Sequence, residues 1–158
     1  MTINSGKLNV TDVDDLTITN AITNNAQLVL NGDGTLQEEV KGTGRTEFAG
    51  GEISAEKKIG QQITVSSGIL NIDADNIGGK VTNSGIVNLK DNGTLNSEIS
   101  GGTVKVNGEV DANAKISGAI KVNDGAKLDI AINNADGVIT LNNSELTLSQ
   151  NGTLKNSI

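Results

Sequence analysis

A small polar turn followed by an apolar-x-apolar pair returns along this chain, and its spacing limits what the chain can become. Examples are Asn4-Ser5-Gly6-Lys7-Leu8-Asn9-Val10, Asn25-Ala26-Gln27-Leu28-Val29-Leu30, Ser67-Gly68-Ile69-Leu70-Asn71-Ile72 and Gly101-Gly102-Thr103-Val104-Lys105-Val106. From Leu70 through Val87, Val104 and Ile120 to Ile139 the steps are 17, 17, 16 and 19 residues. Apolar and polar residues alternate within each unit, which is strand rather than helix periodicity. A strand unit recurring at so short a period is the signature of a solenoid.

Two further apolar stations run beside the first. One comprises Leu36, Leu95, Val110, Leu128 and Leu154; the other comprises Ile22, Val40, Val81, Ile99, Ile116 and Ile132. Three inward stations per turn predict an all-β, three-sided parallel β-helix of about eight short turns, each of roughly 16–20 residues. Residues 1–158 form a single β-solenoid domain. Right-handed winding is expected from the right-handed crossover preference of parallel strands. In such a coil Leu70, Val87 and Val104 should share one internal column, with Asn or Thr ladders at the corners.

Composition agrees with this reading. The chain has 20 glycines, no proline, no cysteine, no histidine and no tryptophan or tyrosine, and a single phenylalanine, Phe48. Gly and Asn tolerate the positive φ that tight bends demand. Proline would remove a ladder donor in every turn. A core almost without aromatics must be built from repeated aliphatic layers.

The same inventory excludes several functions. A formal net charge of −7 without histidine, and with one aromatic residue, offers little phosphate neutralisation or base stacking. No nucleic-acid partner is expected, and no apolar run is long enough for this segment to enter a membrane. Without Cys or His there is no imidazole base and no Cys/His or Ser/His/Asp nucleophile system. Catalytic residues, cofactors and resident metals are therefore expected to be none. Asp73, Asp75 and Asp91 are the one carboxylate trio whose spacing could suit calcium, and a water-facing polar corner is the preferred reading. The adjacent pairs Asp14-Asp15 and Glu38-Glu39 would point to opposite faces of a strand. Asn92-Gly93-Thr94, Asn142-Asn143-Ser144 and Asn151-Gly152-Thr153 match the glycosylation tripeptide, which arises readily in an Asn-rich chain.

Residues 37–62 break the pattern: charge concentrates there and Asn disappears. This stretch reads as an irregular charged turn or loop. Arg45, Glu47, Phe48, Glu52, Lys57 and Lys58 make it the one candidate partner-binding loop, since rigid scaffolds carry binding residues on their loops.

The units Asn83-Ser84-Gly85-Ile86-Val87-Asn88-Leu89 and Asn92-Gly93-Thr94-Leu95 resemble the passenger repeats of bacterial autotransporter adhesins, in particular the self-associating and glycosylated ones. The resemblance covers nearly the whole chain outside residues 37–62. It implies an extracellular or bacterial cell-surface location and a structural, adhesive role. The partner would be a second copy, or a protein or glycan ligand on a host or bacterial surface. Carbohydrate-active β-helix enzymes and phage tail or appendage modules use similar coils and stand as alternatives. No signal peptide or barrel is legible, and Leu154-Lys155-Asn156-Ser157-Ile158 ends mid-pattern, so a fragment with open, associating ends is expected. Those ends would expose Ile3, Leu8 and Val10, and Leu146, Leu148 and Leu154.

Overall fold

The structure is a computed structural model describing residues 1–155, 157 and 158, and the side chains of all of these except Asp12, Val13 and Asp14. It is a β-solenoid of about eight turns, every strand pairing in parallel with the strand one turn away. The chain visits three stations in fixed order. The first face is laid down by Arg45–Gly50, Gln62–Val65, Val81–Asn83 and Ile99–Ser100. The second comprises Glu52–Ala55, Ile69–Ile72, Ile86–Leu89, Thr103–Val106, Ala119–Val122 and Ile139–Leu141. The long strands Lys7–Ile18 and Gln27–Leu36 cover both faces in the first two turns. On the third side, Gly93–Leu95, Glu109–Ala112, Lys127–Ala131 and Glu145–Ser149 stack as one sheet.

Parallel in-register pairing puts equivalent side chains above one another, about 4.8 Å apart. The principal column runs Leu16, Gly34, Ile53, Leu70, Val87, Val104, Ile120, Ile139. Leu70, Val87 and Val104 do share it, and all are fully buried. Beside it stand Ile18, Leu36, Ala55, Ile72, Leu89, Val106, Val122 and Leu141.

The auxiliary stations differ from those read off the sequence. Leu36 belongs to the second face, whereas Leu95 stacks on Ala112, and Val110 on Leu128 on the third. Ile22 and Val40 continue through Ile59 and Ile77, while Val81, Ile99 and Ile116 extend a first-face column containing Leu28 and Ile63. Ala135, not Ile132, meets Ile116, because Ile132–Asn134 forms a 3-10 turn. Spacing near 17 is shared by every column, so period alone does not say which column an aliphatic residue joins.

Residues 37–62 continue the coil, largely as strands. Arg45–Gly50 and Glu52–Ala55 are strands, Ile59 bridges Val40 and Ile77, and the one irregularity in their pairing is a register shift near Ala49. Phe48 lies inside, 1% exposed, between Leu30 and Val65. The same turn carries the small inward residues Thr46 and Ala55. A close-packed interior accepts one large ring where its neighbours are small.

The corner between the first and second faces explains the recurrent glycine. Backbone N–H groups of Ile69, Ile86 and Thr103 donate to the carbonyls of Gly51, Gly68 and Gly85 one turn away, at 2.8, 3.0 and 3.0 Å. A Cβ on Gly68 would overlap the Gly51 carbonyl, and φ there is +78°. Gly125 has a comparable φ of +72° but open space around it. Comparing the two separates strain from crowding. Gly125→Ala should cost about 1 kcal/mol, the strain of a side chain in left-handed backbone. Gly68→Ala should cost about 2–4 kcal/mol, because overpacking adds to that strain. Chemical denaturation of the two variants checks the difference, and equal losses would contradict the corner assignment.

Candidate functional site

The structure spreads the six residues of the charged stretch over two faces, a bend and the core. Arg45 starts a first-face strand and donates from Nη2 to Gln27 Oε1 at 3.0 Å. Glu47 faces outward on that strand, accepting from Gln27 Nε2 at 3.0 Å and Ser66 Oγ at 2.8 Å. Glu52 opens the next strand on the second face, where it accepts from Asn71 Nδ2 at 2.8 Å. Lys57 and Lys58 are exposed on the bend leading to Ile59. Phe48 is core, so it cannot serve a partner-binding loop. Among the described residues no hydrogen bond or ion pair joins any two of the six.

Within the carboxylate trio Asp73 lies close to Asp91 of the next turn, while Asp75 is turned to a backbone amide. Asp75 lies in the 3-10 turn Ala74–Asn76 and its Oδ1 accepts from the backbone N–H of Thr94 at 2.8 Å. Asp33 does the same for Glu52 N–H and Asn92 for Glu109 N–H, each at 2.7 Å. These side chains bind one turn to the next. Among the described residues no group of three potential ligands could hold a metal ion. Asp15 has φ +66°, and Asp14's side chain is outside the described set.

What the outer surface does carry is a set of ladders. Asn88 Nδ2 donates to Asn71 Oδ1 at 2.7 Å, Asn107 to Asn88, and Asn123 Nδ2 to Asn107 Oδ1 at 2.6 Å. Every amide points toward the preceding turn, and the series ends on the Glu52 carboxylate. Hydrogen bonds aligned in this way polarise one another, and a charged acceptor at the end strengthens the first. Only part of the ladder lies at a corner as the sequence suggests: Asn107 and Asn123 follow the strand ends at Val106 and Val122, whereas Asn71 and Asn88 sit within strands, and Asn107 reaches Asn88 across the register, since Asn88 pairs with Lys105.

Some charged side chains pair between turns: Lys80 with Glu98 at 3.2 Å, Lys115 with Asp136 at 2.7 Å and Lys127 with Glu145 at 3.7 Å. The Lys115 bond holds the Asp136 carboxyl below its ordinary range. Such exposed pairs contribute little stability individually. On the third side, Thr94, Asp111, Asn113, Asp129, Asn134 and Ser149 line a polar concavity of about 400 Å³ spanning several turns. The sequence reading missed it, although the spacing from Asp111 to Asp129 matches that from Val110 to Leu128.

This geometry defines a class: an elongated β-solenoid repeat protein whose available chemistry is a periodic outer surface. Comparison with known proteins supplies no relative, since no family model, curated protein or solved structure matches the chain.

One carboxylate is held at a disadvantage. Burial pushes the Asp73 carboxyl above its ordinary range, Lys90 at 3.9 Å opposes this, and Asp91 and Asp75 reinforce it. A carboxyl with a raised folded-state pKa favours the fold while protonated. Its contribution is lost as pH rises from the ordinary carboxylate range through the raised value. Asp73→Asn should therefore stabilise the protein at pH 7, with the gain vanishing as pH falls below the ordinary carboxylate range. Melting temperatures across that pH span check it; a gain independent of pH would contradict the assignment.

Proposed function

We propose that this segment is a structural and adhesive rod of a bacterial surface-exposed or secreted protein, working by presenting its sides to a partner without catalysis. The observation that carries the proposal is the stacked outer surface, in which like polar groups recur on neighbouring turns of the rod. A solenoid displays one chemical pattern many times, so weak contacts add through multivalency. The resemblance to autotransporter passenger repeats supports the same reading, with self-association or a surface protein or glycan as the binding event. An extracellular location suits a chain without cysteine.

Distributed adhesion has a measurable consequence. Beads coated with the chain should aggregate, and Asn92→Ser or Asn107→Ser alone should slow this less than about twofold. Simultaneous changes at several turns of one face should slow it by an order of magnitude or more, since avidity multiplies across contacts. Changing Arg45, Lys57 and Lys58 together to Ser should act like a single-site change. Abolished aggregation in that triple variant, with its circular dichroism unchanged, would place a concentrated site in the charged stretch and contradict distributed adhesion.

A further inference from the structure

In a parallel in-register sheet a charged residue meets whatever occupies its position in the adjacent turn. Like charges placed directly opposite one another destabilise the pairing. Among the described strand pairings, two are of this kind. Lys105 stands against Lys121 on the second face, and Asp111 against Asp129 on the third. Both belong to the same two turns. One pair is basic, the other acidic, and both share the inter-turn spacing of about 4.8 Å. The four side chains take part in no ion pair and no side-chain hydrogen bond among the described residues, whereas Lys80, Lys115 and Lys127 each find an acidic partner one turn away.

The surroundings of the two pairs are complementary. Lys105 and Lys121 stand on a flat strand face beside the outward column Ile69, Ile86, Thr103 and Ala119. Lysine stems can lie along such small and apolar groups while the ammonium reaches beyond them. Asp111 and Asp129 line the third-side concavity, where Thr94, Asn113, Asn134 and Ser149 add hydroxyl and amide oxygens. Three ammonium donors per lysine suit a recess of carboxylate, amide and hydroxyl acceptors.

We propose that the second face of one rod docks against the third face of another copy, Lys105 and Lys121 entering the concavity that holds Asp111 and Asp129. This rests on the self-association reading above and names its contact. Matching two-step ladders bring each lysine against an aspartate and relieve both like-charge repulsions at once. The contact is heterologous: a dimer retains one unused face of each sign, one on each copy, so association continues beyond the dimer.

Sedimentation equilibrium of the full chain provides the test, at low salt and in 1 M salt, where the screening length falls to about 3 Å. The parent chain should associate at low salt and dissociate in high salt. Lys105→Glu with Lys121→Glu should weaken association at least tenfold, as should Asp111→Lys with Asp129→Lys. An equimolar mixture of these two variants should associate, because the acidic second face of one meets the basic third face of the other. The quadruple variant, which exchanges the signs and preserves net charge, should associate like the parent. Since the chain has no cysteine, oxidising a mixture of Lys121→Cys and Asp111→Cys chains should give mainly the mixed disulfide dimer. If the parent associates but the charge-reversed variants do so equally well, this contact is wrong and self-association lies elsewhere. If the parent stays monomeric at millimolar concentration in low salt, the self-association reading itself fails.

Discussion

Everything in this molecule follows from the hydrogen-bond ladder between turns. A parallel strand can satisfy its N–H and C=O groups only against a neighbour in the same orientation, and here that neighbour is the same chain about one turn earlier. In-register pairing then stacks each residue on its counterpart at a fixed distance of about 4.8 Å. The interior becomes a set of aliphatic columns because stacked aliphatics bury one another. The corner becomes a glycine stack because the Ile69, Ile86 and Thr103 amides approach the preceding turn's glycine carbonyls too closely for a Cβ. Outside, the rule produces amide ladders where Asn repeats and repulsion where Lys or Asp repeats.

The same rule accounts for how substitutions are tolerated. Phe48 is accommodated where Ala55 and Thr46 leave room, so the columns require a conserved volume per turn rather than one residue type. Polar groups can enter the interior where backbone partners exist. Asn83 is 3% exposed, and its amide donates to the carbonyls of Gly101 and Thr103 while its oxygen accepts from Gly85 N–H. Asn24 is fully buried on the same terms, bonding to Arg45 O and Ala26 N–H. Both tie a corner to the adjoining turn, as Asp33, Asp75 and Asn92 do from outside.

How much of this was legible in the sequence depends on which residues carried it. The principal column could be read from Leu70, Val87 and Val104 because their polar-turn prefix is nearly constant. The columns around Ile22, Leu36 and Leu95 could not, since their prefixes vary and all columns share one period. The strands of the charged stretch are hard to read for a related reason. Glu47 shares an outward column with Thr64 and Thr82, and Glu52 shares one with Ile69 and Ile86; a charge that faces outward does not expel its strand from the coil, so Arg45–Gly50 and Glu52–Ala55 are ordinary strands despite their composition. Ile3 was expected to be an exposed end residue. It is 8% exposed because Thr2–Ile3 pairs with Thr23–Asn24, while Leu8, Val10, Leu146, Leu148 and Leu154 are half-buried. The stacked charges at Lys105, Lys121, Asp111 and Asp129 emerge only once the register is known.

The central claim is that register, and it can be measured in solution without reference to function. In a methyl-labelled sample, nuclear Overhauser contacts should join Leu70 to Val87 and Val87 to Val104, while Leu70 and Val104, two ladder steps apart, should show far weaker contact. The amides of all three should be strongly protected from hydrogen exchange. Contacts from Val87 to neither residue, or cross-strand Hα–Hα contacts diagnostic of antiparallel pairing through Ile86–Leu89, would contradict the account.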